Sequence, residues 1–78
     1  MHYVYILRCS DDSFYTGCTN DLKKRLDHHQ NGHVHYTKDK LPVELITAIA
    51  FSDKYKAYNF EKYLKSGSGI AFRNKRLV

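Results

Sequence analysis

Tyr3-Val4-Tyr5-Ile6-Leu7-Arg8-Cys9, followed after Ser10-Asp11-Asp12-Ser13 by Phe14-Tyr15-Thr16-Gly17-Cys18-Thr19, decides the fold. The first segment is rich in β-branched and aromatic residues and nearly continuous in hydrophobicity, the pattern of a strand covered on both faces. The polar tetrad is a turn signal, and so short a connection makes the second segment an antiparallel partner. Tyr5 and Tyr15 face the same side only if odd residues pair with odd, Leu7 opposite Tyr15 and Tyr5 opposite Gly17. In that register Cys9 and Cys18 point to opposite faces. A glycine inside a strand, here Gly17, marks either a bulge or a close approach to the backbone.

Working outward, Thr19 or Asn20 is placed to cap a helix running to about residue 31, with Leu22, Leu26 and His29 at helical spacing and Gly32 as the stop. Residues 32–40 are polar and read as a loop carrying His33 and His35. After Pro42, residues 43–51 form a third strand. Ser52 or Asp53 then caps a second helix ending at Ser66-Gly67, and residues 69–78 form a short closing helix. The order β-β-α-β-α-α defines an α+β fold, a small three-stranded antiparallel sheet flanked by helices. With 78 residues there is room for one domain, 1–78, and no repeat or linker divides it.

Thirteen Lys and Arg against eight Asp and Glu leave a net charge of +5 and a pI near 9.3. The excess clusters at Lys23-Lys24-Arg25, in Lys38 to Lys40, and at Arg73-Asn74-Lys75-Arg76. Such clusters favour polyanions through counterion release, and the tyrosines and phenylalanines supply stacking surfaces for bases. No apolar run approaches a bilayer span and the N-terminus lacks a secretory pattern, so a soluble, cytoplasmic protein with no membrane partner is expected. Two cysteines suit a reducing compartment, and the eight residues between them do not offer zinc-ligand spacing.

Three helices carry polar residues on faces expected to turn inward. Arg25 and His29 fall on or beside the Leu22–Leu26 stripe, where a guanidinium and an imidazole imply either a structural ion pair or an anion site. Glu61 lies within the face formed by Ala57, Phe60 and Leu64; it either pairs with Arg25 across the core or ligates a hard cation that keeps most of its waters. Asn74 shares a face with Ile70 and Leu77, where an amide holds a phosphate oxygen or caps backbone groups. Inward tyrosines such as Tyr5 and Tyr15 are most often core residues with a satisfied hydroxyl.

Taken in order, Tyr3-Val4-Tyr5, Tyr15-Thr16-Gly17, Arg25, His29, Glu61 and Asn74 resemble the motifs of the GIY-YIG nuclease superfamily. Each tripeptide alone is uninformative; the ten-residue intervals from Tyr5 to Tyr15 and from Tyr15 to Arg25 make the set specific. The run Glu61-Lys62-Tyr63-Leu64-Lys65-Ser66-Gly67 is similar to one typical of the small stand-alone bacterial members, the UPF0213-like proteins related to the nuclease domain of the excinuclease subunit UvrC. Tyr3 and Val4 stand where the name-giving pattern has Gly and Ile, and Thr16 where it has Ile.

The resemblance implies a DNA-repair-type endonuclease that hydrolyses a nucleic-acid phosphodiester, DNA ahead of RNA. Glu61 would hold a single Mg²⁺ or Mn²⁺, and Tyr5 or Tyr15 would position and deprotonate the attacking water. Arg25 would lower a phenol's pKa or stabilise the phosphate, with His29 assisting and Asn74 completing the catalytic set. Gly17, Lys23, Lys24, Arg73, Lys75 and Arg76 would contact the substrate, and so small a nuclease implies a targeting protein or recognition by structure. The competing expectation is a degenerate module that binds nucleic acid without cutting it.

Overall fold

The computed structural model describes residues 1–78. The run that opens the sequence forms β1 (His2–Arg8), and β2 (Phe14–Thr19) and β3 (Glu44–Phe51) add to its two sides, giving an antiparallel sheet in the order β2-β1-β3. The central place of β1 explains its unbroken hydrophobicity. Val4 and Ile6 are buried on one face with Ala57 and Leu64. Tyr5, Leu7, Cys9 and Val43 are buried on the other, against Tyr15, Leu22 and Leu26.

Three helices complete the β-β-α-β-α-α order: α1 (Leu22–Gln30), α2 (Lys54–Leu64) and α3 (Gly67–Arg76). The leucine stripe of α1 covers the Tyr5 face, and α2 covers the Val4 face. No helix is long and apolar enough to cross a membrane.

The register is the odd-to-odd one, with Tyr5 opposite Gly17 and Leu7 opposite Tyr15. Cys9 and Cys18 therefore lie on opposite faces, and both are free. The irregularity of the sheet is not at Gly17; it falls between Ile6 and Leu7, where β1 pairs with β3. Gly17 is needed because the Tyr5 phenol lies over it, so closely that a Cβ there would overlap the ring.

Helix ends differ from the sequence reading by a few residues, each for a visible reason. The cap of α1 is Asp21, not Thr19 or Asn20: its carboxylate accepts from the Lys24 N–H at 3.1 Å, while Thr19 Oγ1 accepts from the Asp21 N–H at 3.1 Å. The strand after Pro42 starts at Glu44, and Asp53 caps α2 as expected. That helix stops at Leu64 because Ser66 turns to cap α3, accepting from the Gly69 N–H at 3.2 Å. Consequently α3 starts at Gly67 instead of residue 69, and Gly69 is buried against the Tyr63 carbonyl, where no Cβ fits.

This start fixes which face of α3 is covered. Gly69, Arg73 and Leu77, at i, i+4 and i+8, are its buried and half-buried positions; Ile70 and Asn74 are exposed. The inward face expected for Asn74 is thus a correction: its Oδ1 accepts from Arg73 Nε at 3.1 Å and Nη2 at 3.0 Å, at the surface.

Candidate active site

Because the hairpin pairs odd residues with odd, the odd residues of β1 and β2 point to the α1 face. There Tyr5 is completely buried and Tyr15 half-buried. Helical spacing in α1 brings Arg25 and His29 onto the same spot. Arg25 Nε donates to the Tyr5 hydroxyl at 3.3 Å, and that hydroxyl is 2.9 Å from His29 Nε2. His29 Nδ1 is 2.8 Å from Thr37 Oγ1.

Proton positions follow from counting donors. The Tyr5 oxygen accepts from Arg25, so its own proton needs an acceptor, and His29 Nε2 is the one in reach. A neutral imidazole that accepts at Nε2 carries its proton at Nδ1 and donates it to Thr37 Oγ1. The chain Arg25 to Tyr5 to His29 to Thr37 leaves no buried side-chain polar atom without a partner.

Electrostatics agree with this protonation state. His29 is pushed down to about 4, chiefly by burial and then by the charges of Arg25 and His28, so it is neutral at physiological pH. Tyr5 is raised to about 12: burial dominates, and the Arg25 hydrogen bond only partly offsets it. Arg25 acts in the expected downward direction, but the net downward shift expected of a base is not found at Tyr5. The same hydrogen bond raises Arg25 further, which keeps the guanidinium charged.

Tyr15 closes the cluster from the solvent side. Its ring stands edge-on to His29, with centroids 5.0 Å apart, and 5.4 Å from that of Tyr36 in the loop after α1. Arg25 also lines a polar cleft of about 210 Å³ with Lys24 and His28, an opening suited to anionic oxygens. The largest cleft, about 560 Å³ between Tyr3, Leu22 and Leu26, contains none of these groups, so size alone does not mark the site.

Glu61 approaches from the other side of the sheet, on α2. Its side chain is 23% exposed and pairs with Lys65 at 3.0 Å, one turn on; the ion pair considered with Arg25 does not form. Its charge reaches both Cys18 and Tyr5, adding to the larger effect of burial in raising each. Tyr5, Tyr15, Gly17, Arg25 and His29 are thus brought together, with Glu61 across the β2 edge. Lys23 and Lys24 are exposed on α1 beside them, and Arg73 is half-buried with its guanidinium 5.0 Å from the Phe14 ring. Asn74, Lys75 and Arg76 remain on the outer surface of α3.

Two participants lie outside the sequence expectation. Thr37 and Tyr36 come from the polar loop, and Thr37 is fully buried. Nothing in periodicity distinguishes a buried threonine from its solvated neighbours in such a segment.

The family model described as the GIY-YIG catalytic domain matches residues 1–74 of this chain, which include the hairpin, α1 and α2. The chain belongs to the GIY-YIG family. More narrowly, it is similar to a UPF0213 protein of Clostridium perfringens, 47% identical over 66 residues that cover 83% of this chain and 71% of that one. UPF0213 protein YazA of Bacillus subtilis is 48% identical over 65 residues, covering 82% and 66%. The solution NMR structure of a UPF0213 protein from Bacillus halodurans matches with a TM-score of 0.61 at 36% identity, over 95% of this chain and 82% of that one.

Proposed function

We propose that residues 1–78 act as one metal-dependent nuclease domain that hydrolyses a nucleic-acid phosphodiester, DNA in the first instance. The observation that supports this best is the sealed Arg25–Tyr5–His29–Thr37 chain, with a second phenol, Tyr15, between it and solvent. A packing role alone does not call for a charged guanidinium on a buried phenol, because burying such groups is costly unless each is paired.

Glu61 suits a hard cation only as a single-carboxylate site. No three His, Cys, Asp or Glu side chains converge anywhere in the chain. Its present partner is a flexible lysine at i+4, which can release it, and Mg²⁺ takes few protein ligands while keeping waters and substrate oxygens. Such an ion, when bound, would polarise the scissile phosphate and stabilise the leaving oxygen.

The remaining work falls to the side chains. Tyr15 is the phenol that solvent reaches, and it orients the attacking water. Tyr5, His29 and Thr37 hold Arg25 beside it, where the guanidinium stabilises negative charge on a phenol oxygen or on the phosphate. Attack forms the new oxygen–phosphorus bond and breaks the bond to the leaving oxygen, while the proton of the water leaves through the Tyr15 hydroxyl to solvent and a solvent proton completes the leaving hydroxyl. Lys23, Lys24 and Arg73 bind flanking phosphates; Lys75, Arg76 and Asn74 extend that surface along α3.

One observation favours a second reading, a nucleic-acid-binding module that does not cut. Glu61, the carboxylate assigned to the metal, is held by Lys65 at 3.0 Å and belongs to no cluster of three or more His, Cys, Asp or Glu side chains. Incubating the protein with supercoiled plasmid, single-stranded DNA and structured RNA, each with Mg²⁺, Mn²⁺ or EDTA, separates the two. Metal-dependent cutting supports the nuclease; salt-sensitive binding without products supports the module.

A further inference from the structure

Beside the phosphodiester site lies a cleft of about 270 Å³ between β2, the loop after α1 and α3. Tyr15 and Tyr36, with rings 5.4 Å apart, line it from one side of the β2 edge, and Phe14 lines it from the other. Ile70 contributes aliphatic surface above the buried Leu64, and Lys65 and Arg73 add two cations. Large apolar groups are left uncovered here, Tyr36 at 48% and Ile70 at 39% exposure. Further positive charge stands close by, with Lys40 Nζ 3.9 Å from the centre of the Tyr36 ring.

We infer that this cleft is a nucleobase subsite, taking one unstacked base from a nucleotide next to the scissile phosphate. An apolar space lined by aromatic rings and rimmed by cations matches a heterocycle joined to a phosphodiester. Its volume of about 270 Å³ is of the size that holds a single base, and a base stacked and paired within a duplex presents no free ring to enter it. The occupant must be single-stranded or turned out of the helix.

Position relative to the chemistry comes from shared residues. Tyr15 forms a wall of the cleft and also abuts His29. Lys65 lines the cleft and pairs with Glu61. A base held here therefore places its own phosphate near Tyr15 and the Lys65–Glu61 pair. This subsite rests on the nuclease reading only for that placement; the binding of a base does not require cutting.

The test is a double-mutant cycle in EDTA, where binding is read without cleavage. Fluorescence anisotropy measures the affinity of wild-type protein, Tyr36→Ala and Tyr36→Phe for a short labelled single strand and for a set in which one abasic position is moved along it. Tyr36→Ala is expected to weaken the intact strand by roughly 10-fold, and one abasic position to weaken wild type similarly. On that abasic strand the Tyr36→Ala loss should vanish, and Tyr36→Phe should bind like wild type. Equal losses on intact and abasic strands, or a Tyr36→Phe defect as large as that of Tyr36→Ala, overturn the subsite. Metal-dependent cutting together with such equal losses leaves the nuclease and removes the subsite. No binding of any strand overturns the subsite, and cutting in Mg²⁺ or Mn²⁺ then decides the nuclease separately.

Discussion

The Tyr5 phenol lies against the backbone of Gly17 on the neighbouring strand, so a methyl group at position 17 would occupy the space of the ring. The glycine makes room for the tyrosine hydroxyl that Arg25 and His29 both bind. Gly17→Ala is expected to cost about 1–3 kcal/mol through overpacking and to lower cleavage by displacing that hydroxyl. Urea denaturation with a cleavage assay on the same preparation checks this; wild-type stability and rate together would show that the approach is unimportant.

The two phenols should separate stability from rate. Tyr5→Phe leaves the buried His29 Nε2 without its donor, an expected loss of about 1–3 kcal/mol. Tyr15→Phe removes a hydroxyl at a half-buried position and should stay within about 0.5 kcal/mol of wild type. Cleavage is expected to fall by about 10²-fold or more in both. Comparing unfolding free energies with single-turnover rates decides the matter.

Thr37→Val keeps the shape of a fully buried side chain and deletes the oxygen that fixes the His29 tautomer. The orphaned Nδ1–H should cost about 1–3 kcal/mol. In wild-type protein, ¹⁵N NMR should show a neutral imidazole protonated at Nδ1; an Nε2 proton would reverse the donor assignment along the whole chain.

His29 also sets a pH dependence. Unfolded, it titrates near 6.5, and folded near 4, so between these values the unfolded chain binds more protons. Stability therefore rises with pH across that window and is lost as pH falls from about 6.5 toward 4, by an amount of order 3 kcal/mol. Histidine NMR titration checks the residue, and urea denaturation across the range checks the linkage. A His29 midpoint near 6.5 would contradict the burial and tautomer described.

Binding should weaken with salt. Replacing both Lys23 and Lys24 by Gln should lower the slope of log affinity against log salt by roughly 0.7–0.9 for each phosphate that is no longer neutralised. An unchanged slope would place the nucleic acid elsewhere on the molecule.

Much of the fold is legible in the sequence because one segment carries it. The two-sided hydrophobicity of residues 3–9 marks a central strand, whereas the sequence leaves the hairpin register conditional, and it is the observed pairing of Tyr5 with Gly17 that decides which tyrosines meet Arg25 and His29. The departures have physical causes. Asn74 reads as inward because Ile70 and Leu77 are apolar, whereas the covered face of α3 is set by Gly69 against the Tyr63 carbonyl, a packing constraint that hydropathy cannot register. The presence of Arg25 suggests a downward shift for Tyr5, but desolvation of a phenol with no exposed surface outweighs one hydrogen bond. Thr37 escapes a sequence reading because its partner lies eight residues away across an irregular loop.

The most direct test compares wild type with Glu61→Gln for cleavage and affinity on one substrate, in Mg²⁺, Mn²⁺ and EDTA. Glu61→Gln should bind the substrate in EDTA as wild type does and lose metal-dependent cutting by several orders of magnitude. Cutting by Glu61→Gln at the wild-type rate, or wild-type cutting that persists in EDTA, would contradict a one-metal nuclease centred on Glu61.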